Sequence, residues 1–153
     1  MRTSVTVRLV VATLLCAAGV MFTGCGRGRR APLDEGIRAL RRGRPDAAIS
    51  HLTRAVRENP SDASAHCNLG LAYWKTQQTN EALVSLRQAA ALDTADPRSL
   101  EVAAQIHMHL GQWHEAAEAL AEAQRRAPRS PSVLTALAVA HWHTQGPAAA
   151  FHH

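Results

Sequence analysis

Residues 63–96 read ASAHCNLGLAYWKTQQTNEALVSLRQAAALDTAD, and this stretch decides the fold. It divides into two helical halves, about 64–76 and 80–92. Leu69 and Tyr73 recur at helical spacing in the first half, and Leu83 and Leu86 in the second. Gly70 and Ala82 are small where one helix must approach the other closely. The pattern returns every 34 residues: Gly36, Gly70, Ala104 and Ala138; Ala48, Ala82 and Ala116; Ala55, Ala89 and Ala123. Leu120 stands at the position of Leu86. Pro60 and Pro128 close their copies, because proline inside a helix costs about 3 kcal/mol. Each helix pair exposes a face that only the next pair can cover, so about three copies are needed for stability.

Working outward, the same register predicts helices near 32–42, 46–58, 64–76, 80–92, 98–110, 114–126 and 132–144. Asp46 and Asn80 are placed to cap the second helices of their pairs. The copies fall at about 29–62, 63–96 and 97–130, with a partial copy at 131–146 and a tail at 147–153. The fold class is all-α.

These residues resemble the tetratricopeptide repeat family. Asn68-Leu69-Gly70-Leu71-Ala72-Tyr73 matches its first-helix core, and Glu81-Ala82-Leu83 its second-helix signature. The third copy supplies Gly111-Gln112-Trp113-His114-Glu115-Ala116-Ala117, then Leu120, Ala123 and Ala127-Pro128. The start of the first copy is degenerate, with only Gly36 and Gly43 standing clearly in the pattern. The resemblance implies a right-handed superhelical α-solenoid of about three helix pairs and a terminal helix, spanning 32–146. It also implies that the first helices line a concave groove that takes peptides or helices of other proteins. In this register three columns line that groove. One is Ile37, Leu71, Gln105 and Val139; the next is Leu40, Trp74, Met108 and Trp142; the third is Arg41, Lys75, His109 and His143. The result is an apolar stripe with two Trp beside a row of cations or potential cations, and large aromatics at half-exposed sites are common anchors. The competing reading packs Trp74 and Trp142 against neighbouring helices. The carboxylate clamp of chaperone-binding members does not fit: Leu33 and Ile37 occupy its first-helix positions, and Val102 fails another, although Asn68 and Arg98 match.

The chain carries no phosphate loop, nucleophile elbow or metalloprotease motif. Its acids are scattered, so no enzyme activity and no cofactor are expected. His107-x-His109 and His141-x-His143 lie 34 apart. Residues two apart on a helix face different ways, so neither pair chelates alone. His109 facing His143, or His107 facing His141, is the one metal arrangement open. Packing and solvation are the better account, and no metal is expected. Cys67 reads as a small buried hydrophobe rather than a nucleophile.

The first residues form an address. Arg2 and Arg8 precede an uninterrupted apolar run, Leu9–Phe22, too short for a membrane span of about 20 residues. Phe22-Thr23-Gly24-Cys25 resembles the lipobox of bacterial lipoproteins, with Phe22 departing from the usual Leu. The resemblance implies a signal peptide over 1–24, acylation of Cys25 and a basic linker over 25–31. An uncleaved anchor and ordinary cleavage after Ala18 are the alternatives. Gly26, where Asp favours inner-membrane retention, points to the outer membrane.

Length and composition agree with this reading. The chain has 153 residues, 46% hydrophobic but only 4% aromatic, so an aromatic-rich β core is excluded. Its net charge is +5. Without Arg2 and Arg8 the balance is +3, and seven cations crowd Arg27–Arg44. That cluster suits an anionic lipid surface or a solvated helix face equally well. Nucleic acid is a poor partner for an exported chain. The expected function is a lipid-anchored, periplasm-facing scaffold or assembly factor of the bacterial envelope. The alternatives are a non-catalytic accessory subunit of an envelope enzyme, or a truncated reading frame.

Overall fold

A computed structural model describes residues 27–145, with side chains from 31 to 144. The signal peptide expected over 1–24, the expected acylation site Cys25 and the tail from 146 lie outside the described residues. Those described form seven helices and no strand: α1 Arg27–Arg41, α2 Pro45–Glu58, α3 Ala63–Lys75, α4 Thr79–Leu92, α5 Arg98–His109, α6 Trp113–Arg126 and α7 Pro131–Gln145. The expected helices are all present, in an all-α solenoid of three pairs and a last helix.

Two local expectations are corrected. The first helix starts at Arg27, so backbone expected as linker over 27–31 is helical. Arginine is a strong helix former, and the helix runs through Pro32 rather than starting there. Asp46 and Asn80 are not caps. The N-cap positions are Arg44 and Gln78, neither with a side-chain cap. Pro45 takes the first helical position, which suits its fixed φ, and moves Asp46 into the first turn, where its charge favours the helix dipole. A side-chain cap stands instead at Asp62, which accepts from the N–H groups of Ser64 (2.9 Å) and Ala65 (3.2 Å) at the start of α3.

One turn joins the helices of every pair. Gly43, Gln77 and Gly111, spaced 34 apart, all take positive φ, at 68°, 63° and 73°. In each copy two amides then fold back on the first helix. Gln77 N donates to Trp74 O and Gln78 N to Tyr73 O, and the same bonds run from Gly43 and Arg44 and from Gly111 and Gln112. This is the glycine-favoured end of a helix, held in the second copy by a glutamine.

Packing follows the small-residue columns. Ala48, Ala82 and Ala116 are completely buried, and Leu52, Leu86 and Leu120 nearly so. A Cβ on Gly36 would stand 2.5 Å from Leu52 Cγ, and one on Gly70 2.6 Å from Leu86 Cγ. Both glycines are therefore demanded by close approach. Three clusters run along the stack, centred on Leu52 with Leu69, on Leu86 with Ile106, and on Leu120 with Val133. Ala138, the fourth member of the Gly36 column, is exposed. Arg126 locks two copies together: its Nη1 donates to the carbonyls of Ala90, Asp93 and Asp96 at 3.0–3.3 Å. Besides pairing with its neighbours, α1 touches α3 and α3 touches α5. The first helices thus form the inner row.

Candidate functional site

The three first-helix columns grade from packing to solvent. Ile37 and Leu71 are half-buried, while Gln105 and Val139 are exposed. Leu40, Trp74 and Met108 are half-buried, each packed against a different core cluster. Trp142, their fourth member, is 58% exposed. Arg41, Lys75, His109 and His143 are all exposed. The surface is apolar at its base, carries the cations Arg41 and Lys75 and the imidazoles His109 and His143 along one edge, and grows more exposed toward α7. Trp74 is both core and surface: it packs on Ala82, Leu86 and Ile106 and keeps part of its face open.

The four histidines of the two pairs have separate partners. The His109 ring stands edge-on to Trp74, 5.3 Å between centroids. His143 stacks on Trp113 at 3.8 Å with 13° between planes. His107 Nδ1 donates to Gln112 Oε1 at 2.7 Å, and His141 lies in a cleft beside α6. His109 and His143 are thus each engaged by a tryptophan ring. Among the described residues no group of three His, Cys, Asp or Glu is placed to hold a metal. No described helix is long and apolar enough to cross a membrane.

Residues considered for a clamp are otherwise engaged. Leu33 and Val102 pack on core clusters. Asn68 Nδ2 donates to Ser64 O at 2.8 Å. Arg98 pairs with Asp96; that hydrogen bond holds the Asp96 carboxyl below its ordinary value. Burial pushes the Cys67 thiol up, against a smaller opposite pull from Arg98. A neutral thiol is a poor nucleophile.

Sequence reasoning missed one surface. On the second-helix side, Val56, Leu69, Tyr73 and Val84 floor a cleft of about 560 Å³, rimmed by His66, Asn80, Glu81 and Gln88. Val84 is 62% exposed. The available signal was its column, where the other copies place Ser50 and Glu118.

Two family models, both described as tetratricopeptide repeat, match residues 33–99 and 73–140. A FAM10 family protein of Arabidopsis thaliana is 32% identical over 84 residues, 55% of this chain and 19% of that protein. The chain thus spans about a fifth of that relative's length. Among solved structures, the first TPR of Spaghetti (RPAP3), bound to the HSP90 peptide SRMEEVD, superposes with TM-score 0.72 at 16% identity, covering 77% of this chain and 94% of that one. The Yersinia enterocolitica type III secretion chaperone SycD, in complex with a peptide of the translocator YopD, gives 0.66 at 20% identity, covering 71% and 88%. At these identities the likeness shows the fold.

Proposed function

This chain belongs to the tetratricopeptide repeat family, and from that premise we propose that it is a lipid-anchored scaffold or assembly factor of the bacterial cell envelope. It takes an extended or helical segment of another protein along its first helices. One observation carries the reading: α7 presents Val139 and Trp142 uncovered, in the same repeat columns as the half-buried Ile37, Leu71, Leu40, Trp74 and Met108 and beside the column of Arg41, Lys75 and His109. An apolar base with a cationic edge suits a segment with large apolar anchors and acidic neighbours. Two neighbours of this fold bind peptides, which supports the mode of binding.

The anchor would be Cys25, acylated after removal of 1–24. More than one acyl chain makes attachment stable, whereas one alone is marginal. The chain would then face the periplasm, most simply from the outer membrane. Replacing Cys25 by Ser and fractionating cells tests this half: the protein should leave the membrane fraction, and retention there would refute acylation. Pull-down from membranes with Trp142→Ala tests the other half. Captured partner should fall about tenfold or more while the helical circular dichroism spectrum stays unchanged.

A further inference from the structure

The first copy ends the stack in charge. Glu35, Arg38, Arg42 and His51 occupy the positions of Leu69, Ala72, Thr76 and Ser85 in the second copy. There Leu69 and Ala72 are buried in one cluster with Ala48 and Leu52 of the first copy. In the third copy the position of Arg38 is Ile106, fully buried. The face that later copies bury is therefore, in the first copy, an exposed end face.

On that face Arg38, Arg42 and Arg44 line a cleft of about 310 Å³, floored by Ala39 and Ala47. The carboxylate lining it, Glu35, is held by His51 Nδ1 at 3.1 Å. None of the ion pairs among the described residues engages the three arginines. Asp34 and Asp46 do not line the cleft. A terminal repeat needs a polar outer face to stay soluble, but solubility does not require one sign of charge. Here one sign dominates, and it lies at the end that follows Arg27, Arg29 and Arg30 in the chain.

We infer that the exposed end face of the first copy, through Arg38, Arg42 and Arg44, docks on the phosphate layer of an anionic phospholipid membrane. Guanidinium groups suit phosphate because their planar forks donate two parallel hydrogen bonds. Docking at this end places α7 and Trp142 at the far end of the stack, away from the lipid. This contact is separate from the acyl anchor and survives its loss.

The test uses the full chain with Cys25→Ser, so that no acyl group contributes, in flotation with two vesicle types. One is phosphatidylcholine alone; the other also contains phosphatidylglycerol. The chain should prefer the anionic vesicles. Arg38→Gln/Arg42→Gln/Arg44→Gln should lower affinity for them about a hundredfold and leave binding to neutral vesicles unchanged. The corresponding triple Lys variant should keep most of the preference, since charge is retained. Arg57→Gln/Arg87→Gln, on exposed parts of α2 and α4, should change it at most a few fold. The proposal fails if the Gln triple keeps the preference, if the Lys triple loses as much as the Gln triple, or if the Arg57/Arg87 pair loses as much. It also fails if inorganic phosphate at matched ionic strength displaces the chain, which would make the cleft a site for free phosphate. Failure of acylation leaves every one of these readouts unaffected.

Discussion

The indole of Trp74 stands edge-on to the imidazole of His109, with 5.3 Å between ring centroids and 81° between planes. The contact joins α3 to α5 across two copies. It also ties the apolar column of the inner row to the column of Arg41 and Lys75. Trp74 itself rests on Ala82, Leu86 and Ile106, whereas Trp142, at the same repeat position, is mostly exposed.

The two tryptophans therefore separate stability from binding. Trp74→Ala should cost about 2 kcal/mol, less than a fully buried aromatic because part of its surface is already wet. Trp142→Ala should change stability by no more than about 0.5 kcal/mol. Urea denaturation of both variants checks this, and equal losses would place Trp142 in the core.

Gln77 holds a left-handed conformation that its equivalents fill with glycine. Side chains disfavour that region by about 1 kcal/mol. Gln77→Gly should thus stabilise the fold by roughly 0.5–1 kcal/mol. Gly111→Ala, at φ 73° with open space around its Cβ, should destabilise it by about 1 kcal/mol. Shifts in urea midpoint of these opposite signs are the check.

Much of this was readable before any coordinates. The 34-residue columns reveal the helix pairs because close approach leaves a chemical mark: small residues at 36, 70, 104, 48, 82 and 116. Register places Val139 and Trp142 in columns with Leu71 and Trp74, while the assignment of those columns to an inner row came from the family resemblance. What was not legible depends on backbone conformation. Gln77 hides a positive-φ turn because glutamine carries no signature for it. The repeat column points to Asp46 and Asn80 as caps rather than Asp62, whereas caps are set by where the chain leaves helical φ and ψ. The division of Trp74 between packing and surface, and the ring contacts of His109 and His143, arise between copies, where a period alone says nothing about side-chain direction.

Gly70→Ala isolates the close approach itself. Its new Cβ would meet Leu86 Cγ at 2.6 Å and the Ala82 carbonyl at 3.0 Å. Overpacking of this kind costs about 1–3 kcal/mol, and better helix propensity returns at most about 1. A net loss of about 1–2 kcal/mol in urea denaturation is expected, and a gain would mean the two helices are not in tight contact there.

Cys67 supplies a pH dependence with a definite sign. Burial raises its thiol above the ordinary value of 9.0, so the native state favours the protonated form. That contribution is complete below the unfolded value and is lost as pH rises through the native one. Stability should therefore decline from about pH 9 upward, and Cys67→Ala should flatten the decline. Alkylation by iodoacetamide at pH 8.5, near the pKa of a free thiol, should be at least about tenfold slower in the native chain than in urea.

We propose that the partner lies along the inner row of first helices. A photo-crosslinking residue at Val139, in cells, tests it most directly when compared with the same residue at Val84 in the opposite cleft. The account predicts a discrete adduct from position 139 that disappears with Trp142→Ala, and none from position 84. An adduct from 84 alone, or one at 139 indifferent to Trp142→Ala, would contradict it.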